Sequence, residues 1–153
     1  MTLADLIQQT RFASPSQEAV LNVFATSSWV TSEIQAALTP HGITQAQFNV
    51  LRILRGRHPD RYTCSQIAER LLDRTPDVTR LLVRLERNGW IERRRDEDDR
   101  RVVLVTISEA GLDLLATLDE PVSQTIDRLT EPLTEAELET LSSLLERIRE
   151  GQT

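Results

Sequence analysis

Apolar residues recur every three or four positions in six segments of the chain. This spacing places them on one face of an α-helix, so each segment predicts a helix. Thr44, Thr63 and Thr134 are each followed three residues later by Gln or Glu, which is the sequence of a capping box at a helix start. The predicted helices cover residues 16–38, a segment from 44 to near 56, a short segment from 63, residues 76–88 and 108–129, and a final segment from 134.

Two segments of strand character follow the fourth helix. Residues 90–95 (WIERRR) and 102–107 (VVLVTI) flank the polar stretch DEDDRR, a pattern that favours a β-hairpin with a charged tip. A short helix, a turn, a second helix and a strand–loop–strand unit follow one another in the order of a winged helix-turn-helix. The sequence therefore predicts a mainly α-helical fold with a small β-hairpin as its wing.

Charge is distributed unevenly along the chain. The net charge is -6, yet residues 51–107 carry 14 Arg against 10 Asp and Glu, whereas the segments on either side are acidic. A basic segment between two acidic ones favours an anionic partner. A solvated surface of salt bridges would have the same pattern, so charge alone leaves both interpretations open.

Composition excludes several other classes of protein. The single cysteine, Cys64, rules out an intramolecular disulfide, and no apolar run approaches the ~18 residues that a membrane helix needs. The N-terminus lacks a basic start followed by an apolar segment, so we expect a cytoplasmic protein without a membrane partner. One Cys and two His do not provide a metal site, and no nucleophile–base pattern or glycine-rich phosphate loop is present. We therefore expect no cofactor and no enzymatic activity.

The predicted helix over residues 76–88 separates an apolar from a polar face. The apolar stripe consists of Val78, Leu81, Leu82 and Leu85. The outward face carries Thr and Arg side chains, which suit the DNA major groove because Arg can bind guanine with two hydrogen bonds and Thr can contact a base or a phosphate. The candidate DNA-binding residues of this helix are Thr75, Pro76, Asp77, Thr79, Arg80 and Arg84.

Both ends of this helix are predicted from local capping chemistry, and Gly89 can take the left-handed conformation that ends it. Thr75 is assigned as the N-cap and Pro76 as the first helical residue, where the missing N–H does no harm. Asp77 has two interpretations, either an acid favoured by the helix dipole or an acceptor for a cytosine amine.

The arginines of the predicted hairpin provide a second DNA-binding element. Arg100 and Arg101 lie in the narrow polar tip, from which an arginine can enter the minor groove. We expect Asp98 to orient the guanidinium of Arg100 as an ion pair. Strand alternation sends Arg94 to the opposite face from the arginines beside it, so that one face can reach phosphates. A hairpin that only keeps the protein soluble is the alternative, and the other acids of the tip have no predicted role.

Residues 75–111, TPDVTRLLVRLERNGWIERRRDEDDRRVVLVTISEAG, resemble the core of the MarR (multiple antibiotic resistance regulator) family of transcription factors. The family pattern runs V-T-R-L-(L/V)-x-R-L-E-x-x-G through the recognition helix, D-x-R through the wing and L-T-x-x-G after the last strand. The matches are residues 78–82, 84–86, 89, 98–100 and 107–111. Ile107 and Ser108 replace the usual Leu-Thr and keep an apolar residue and a helix cap. The resemblance covers roughly residues 20–150.

The resemblance implies a homodimer. Residues 41–107 would form the winged helix-turn-helix, between an N-terminal dimerisation helix region (1–40) and C-terminal dimerisation helices (108–153). The apolar stripes of the terminal helices agree with this, because a small winged domain would not cover them. The resemblance further implies binding of double-stranded, pseudo-palindromic operators, usually as a repressor.

The resemblance also implies release from DNA by a small aromatic or anionic effector, or by cysteine oxidation. Trp29 and His41 are the candidate effector contacts, and packing in the dimer core or hinge is the alternative role for Trp29. Cys64 is interpreted as structural, because relatives that sense oxidants carry their cysteine in the first helix. A helical dimer whose winged domain binds protein remains the alternative function, but arginines at both groove-reading positions favour DNA.

Overall fold

In the part of the chain that the computed structural model describes, residues 2–8, 11–71 and 77–150, the fold consists of seven α-helices, one 3-10 turn and three short strands. The predicted fold class, mainly α-helical with a small β wing, is confirmed. The helices are α1 (Leu3–Ile7), α2 (Pro15–Leu38), α3 (Gln45–Arg55), α4 (Cys64–Arg70), α5 (Val78–Arg87), α6 (Glu109–Thr130) and α7 (Glu135–Glu150), and the 3-10 turn is Thr39–His41. The strands are β1 (Tyr62–Thr63), β2 (Ile91–Arg95) and β3 (Val103–Ile107).

Three helices begin at the capping boxes that the sequence predicts. Before α3, Gln47 N donates to Thr44 Oγ1 at 3.3 Å, and Thr44 N donates to Gln47 Oε1 at 3.0 Å. The same exchange precedes α4 and α7. Each box satisfies N–H groups that a helix start otherwise leaves without partners, so these boundaries are set by nearby residues.

The sheet has three antiparallel strands in the order β1-β3-β2. Strands β2 and β3 form the predicted hairpin, with Ile91 opposite Ile107 and Arg95 opposite Val103. The sequence analysis missed β1, in which Tyr62 pairs with Val105. Two residues are too few to show the alternation that identifies a strand, and β1 exists because β3 lies beside it.

One hydrophobic core joins the winged domain to the end of α2 and to the middle of α6. Its largest fully buried side chains include Leu38, Ile43, Leu51, Leu54, Ile67, Leu82, Leu85, Leu115 and Leu118. Leu115 and Leu118 come from α6, which therefore packs directly on the winged domain. Arg55 of α3 also forms two hydrogen bonds with Asp119 of α6, at 2.7 and 3.0 Å. The orientation of α6 is thus fixed to the domain that carries α5.

Two helices present apolar side chains that this core does not cover. Phe24 and Trp29 of α2 are 67% and 51% exposed. None of the residues of α7, all of which are described, is buried, and Ile148 is 58% exposed. Exposed apolar faces of this kind are typical of a protein–protein interface.

Candidate nucleic-acid interface

The recognition helix, α5, begins at Val78, later than the sequence predicts. Asp77 is its N-cap, with a non-helical backbone and an Oδ1 atom that accepts from Arg80 N at 3.2 Å. The predicted start, with Thr75 as N-cap and Pro76 as the first helical residue, was therefore wrong. An ionised Asp caps a helix at least as well as Thr and also interacts favourably with the helix dipole. Thr75 and Pro76 themselves lie outside the described residues.

The carboxylate of Asp77 is engaged by its own helix. Besides its cap hydrogen bond, its Oδ2 atom lies 3.1 Å from Arg80 Nε. This geometry favours the first of the two interpretations, an acid at the helix start, over an acceptor for a cytosine amine. It also holds the Arg80 guanidinium beside the helix start while its side chain remains 83% exposed.

The two faces of α5 differ in burial as the apolar stripe predicts. Leu82 and Leu85 are fully buried, and Val78 and Leu81 are partly buried against the core. The exposed residues are Thr79, Arg80, Val83, Arg84 and Arg87. Among the described residues, none forms an ion pair with Arg84. Arg84 is therefore the exposed cation in the middle of α5 whose guanidinium is not held by a described acid.

A tight connection leads from α5 into the wing. Gly89 follows the helix with φ +76°, the left-handed conformation predicted for it. Trp90 N then donates to Leu85 O at 3.0 Å, and Ser108, at the far end of the hairpin, donates through Oγ to Gly89 O at 2.6 Å. These bonds place both ends of the hairpin against the end of the recognition helix.

The wing arginines alternate in direction as predicted. Arg93 points to α5, where its Nε atom donates to Glu86 Oε2 at 2.8 Å, whereas Arg94 lies on the other face and pairs with Glu92 at 3.2 Å. Arg95 Nη1 donates to the carbonyl oxygen of Arg100 at 3.3 Å. All three arginines of β2 are thus held by groups of the same chain.

Acids of the wing tip shape its turn. Asp96 Oδ1 accepts from the backbone N–H groups of Asp98 and Asp99 at 2.8 and 3.0 Å. The N–H groups of Asp99 and Asp98 hold the pKa of the Asp96 carboxyl below its usual value, because they stabilise the ionised form. Asp99 Oδ1 likewise accepts from Arg101 N at 3.0 Å. The sequence analysis assigned no role to these acids. The role of Asp96 could have been found from its place in the turn, because an Asp side chain there often accepts from the backbone N–H groups two or three residues further along.

The ion pair of the tip is not the predicted one. Arg101 Nε lies 3.5 Å from Asp99 Oδ1, whereas Arg100 forms no ion pair with Asp98 or with any other described residue. The reason is the turn itself. The backbone N–H of Asp98 donates to Asp96, and the carboxylate of Asp99 is the one directed to Arg101, two residues further along the chain. Arg100 therefore presents a guanidinium that no described acid holds, and nothing in the structure explains Glu97.

Comparison with known proteins identifies the family of this chain. The sequence model of the MarR family matches residues 43–103. The chain is 31% identical over 155 residues to the HTH-type transcriptional regulator PecS of Dickeya dadantii (strain 3937), across 97% of this chain and 93% of PecS. It is 38% identical to the solved MarR transcription factor of Planctomyces limnophilus, with a TM-score of 0.70 over 89% of this chain and 98% of that one. The chain belongs to the MarR family.

Another MarR-family structure includes nucleic acid. A mutant MarR of E. coli, solved in a complex with operator DNA, is 30% identical, with a TM-score of 0.74 over 82% of this chain and 89% of that one. The present MarR-family chain is accordingly a DNA-binding transcriptional regulator and, as the sequence predicts, not an enzyme.

A cleft beside Trp29 lies in the N-terminal part of this MarR-family chain. It has a volume of about 710 Å³ and is lined by α1 and α2, including Leu3, Leu6 and Ala25. Every lining residue comes from the N-terminal region, so in the single chain this cleft is formed without the winged domain. His41 lies in the 3-10 turn and does not line this cleft, so the two candidate effector contacts are not brought together.

The remaining features of the described chain concern other kinds of site. Cys64, at the start of α4, is partly buried and packs against the core. No three His, Cys, Asp or Glu side chains within the described ranges come together as a metal site requires. Of the described helices, none combines the length and apolar character needed to span a membrane.

Proposed function

We propose that the protein is a cytoplasmic, homodimeric repressor that binds a pseudo-palindromic operator and is released by a small-molecule effector. The observation that supports DNA reading most directly is the arrangement of Arg84 and Arg100. They lie on different elements, the outer face of α5 and the wing tip, and neither is paired with a described acid. Two unheld guanidinium groups on two projecting elements suit simultaneous contact with a major and a minor groove.

The proposal assigns different roles to the candidate DNA contacts. Arg84 and Thr79 contact base edges in the major groove, and Arg100 enters the minor groove. Arg80 and Arg94 are already oriented by acids of the chain, which suits contact with phosphates. The further candidates for this interface are Thr75, Pro76 and Arg101.

The uncovered faces of α2 and α7 support the homodimer. Residues 1–40 and 108–153 supply the dimer interface in this proposal, and residues 41–107 supply the DNA-binding domain. Phe24 of α2 and Ile148 of α7 are more than half exposed in the single chain. Burying such faces against a second copy would place two recognition helices on one side of the DNA, about one helical turn apart.

The cleft beside Trp29 supports an effector site of aromatic or apolar character. Trp29, Leu3 and Leu6 line it together with small polar residues such as Ser28 and Asn22. An aromatic compound could stack on the indole while these hydroxyl and amide groups orient it. Because α1 and α2 belong to the proposed dimer region, such a compound would change the spacing of the two winged domains.

Binding to the DNA upstream of the protein's own coding region, compared with a scrambled duplex at several salt concentrations, tests this function. We expect a preference of about 10³-fold or more and a steep loss of affinity with salt, because several phosphates are neutralised. Equal affinity for both duplexes, or binding to neither, would contradict a sequence-specific regulator and favour a protein partner for the winged domain.

A further inference from the structure

A carboxylate within the basic surface of the recognition helix is a feature that DNA binding alone does not explain. Glu86 lies in α5 close to Arg84 and Arg87, on the element proposed to enter the major groove. A carboxylate at this place repels phosphates and lowers the affinity for DNA, so its presence points to another role. Its contacts identify that role.

Glu86 connects the recognition helix to the wing. Its Oε2 atom accepts from both Nε and Nη2 of Arg93 in β2, with the Nε contact at 2.8 Å. The two side chains are only 40% and 25% exposed, so water screens this pair less than a surface ion pair. Among the described residues, no other side-chain hydrogen bond joins α5 to β2 or β3.

The neighbouring arginines of β2 distinguish this contact from a general property of the strand. Arg94 pairs with Glu92 two residues away, at 3.2 Å, and both side chains are more than half exposed. That pair lies within a single strand and links no two elements. Arg95, on the same face as Arg93, donates to Arg100 O and so braces the tip that carries Arg100.

We propose that the Glu86–Arg93 pair sets the position of the wing relative to the recognition helix, so that Arg93 is a positioning residue for DNA recognition and not a phosphate contact. This inference rests on the proposed function. Two DNA contacts on linked elements reinforce one another only when the link holds them at the spacing of the two grooves. A helix and a hairpin joined by a fixed pair bind without first losing their relative freedom of movement.

Neutralising Glu86 separates this proposal from simple electrostatics. Glu86→Gln removes a negative charge from the DNA-facing helix, so electrostatics alone predicts tighter binding. The positioning role predicts weaker binding, by about tenfold, because the wing contact is no longer held in register. The measurement is fluorescence anisotropy of a labelled duplex from the upstream DNA, with Glu86→Gln, Arg93→Gln, the double variant and Arg94→Gln. The last variant measures the loss of one proposed phosphate contact of the wing without any change in the Glu86–Arg93 pair.

The pair also predicts a specific dependence on Arg100. In the wild type, Arg100→Ala weakens binding to the duplex. In the Arg93→Gln background the same change lowers the affinity by less than about twofold, because the wing is already displaced from the DNA. Glu86→Gln and Arg93→Gln together are expected to be no worse than either alone. In the Arg94→Gln background, Arg100→Ala should weaken DNA binding by the same factor as in the wild type. A change in fold stability alone would not alter the Arg100 effect in this way, and thermal unfolding of each variant is the check.

Unchanged or tighter DNA binding by Glu86→Gln, together with weaker DNA binding by Arg93→Gln, would overturn the proposal and make Arg93 a phosphate contact. Should Glu86→Gln or Arg93→Gln fail to fold, Arg93→Lys decides, since it keeps the positive charge but not the two-bond geometry. Weakened binding by Arg93→Lys supports positioning, and wild-type affinity contradicts it. Failure of the proposed function is a different result, because the wild type itself would then not distinguish the upstream duplex from the scrambled one.

Discussion

The arginines of the interface differ in whether an acid of the same chain holds them. Arg80 is paired with Asp77, and Arg93 is paired with Glu86. The acids fix the directions of these two guanidinium groups and partly cancel their positive charge. Arg84 and Arg100 have no ion pair with a described residue. An unpaired guanidinium can contact DNA without first breaking a contact within the protein. Arg84 is therefore expected to contribute most to base preference in the major groove, and Arg100 to affinity through the minor groove.

Arg84→Ala is expected to weaken binding to the specific duplex by about 1–3 kcal/mol and to relax base preference at one position. Arg100→Ala should weaken binding while leaving major-groove preference nearly intact. Both effects can be measured by competition between duplexes that differ at single base pairs. Unaltered affinity in Arg84→Ala would mean that α5 does not lie in the groove as proposed.

At the scale of elements, α6 approaches the end of the wing so closely that one position tolerates only glycine. A Cβ atom on Gly111 would lie 2.2 Å from Trp90 O and 2.7 Å from Ile107 Cγ1. Trp90 O is backbone and also accepts from Ser108 N at 3.1 Å, so it cannot move away without loss of that bond. The first turn of α6 is therefore packed directly on the connection between α5 and the wing.

Gly111→Ala is expected to destabilise the fold by about 1–3 kcal/mol, as overpacking in a close contact does. Gly56→Ala is a matched control, because its Cβ would have its nearest neighbour at 3.5 Å and its backbone is helical, with φ -62°. Denaturant unfolding of both variants measures the difference. Equal stability of the two would contradict the close contact at α6.

At the scale of the whole molecule, α6 connects the DNA-binding domain to the helices proposed to dimerise. The Arg55 guanidinium lowers the pKa of the Asp119 carboxyl through two hydrogen bonds, so the ionised form is favoured in the folded state. A carboxyl whose folded pKa is depressed stabilises the fold above its unfolded value, and this contribution is lost as pH falls through the folded pKa. The usual value is 3.8, so the loss occurs below that pH.

Asp119→Asn is therefore expected to be less stable than the wild type at pH 7 and to lose less stability on acidification to below pH 3.8. The two curves should converge in acid, where the wild-type carboxyl is protonated as well. Asp113→Asn, on an exposed side of α6 and without an ion pair to a described residue, is the control. Parallel stability curves for wild type and Asp119→Asn between these pH values would exclude the interaction as a source of stability.

Assembly is the second property of the whole molecule. Phe24→Asp is expected to dissociate the proposed homodimer into monomers, because it places a charge within an apolar face that the single chain leaves 67% exposed. Val83→Asp is the matched control, since Val83 is also an exposed apolar residue, 46% accessible, but lies on α5. Sedimentation velocity of each variant measures whether it is a dimer or a monomer. A dimer that survives Phe24→Asp would place the interface elsewhere.

The features that could be predicted from the sequence are those that depend on neighbours within one or two helical turns. The capping boxes at Thr44 and Thr63, the buried stripe of α5, the left-handed Gly89 and the hairpin could all be predicted, because periodicity and caps act over three or four residues. The matches in residues 75–111 were enough to identify the family.

The contacts that could not be predicted are those whose partners are set by the packing of the chain. Strand β1 depends on β3, and the cleft at Trp29 depends on the way α1 packs on α2. Arg93 selects Glu86 seven residues away, and Arg55 selects Asp119 across 64 residues. An arginine in the sequence has many acids within reach of its long side chain, and local spacing cannot choose among them. The fold chooses, because burial and backbone geometry leave each guanidinium few groups to which it can donate.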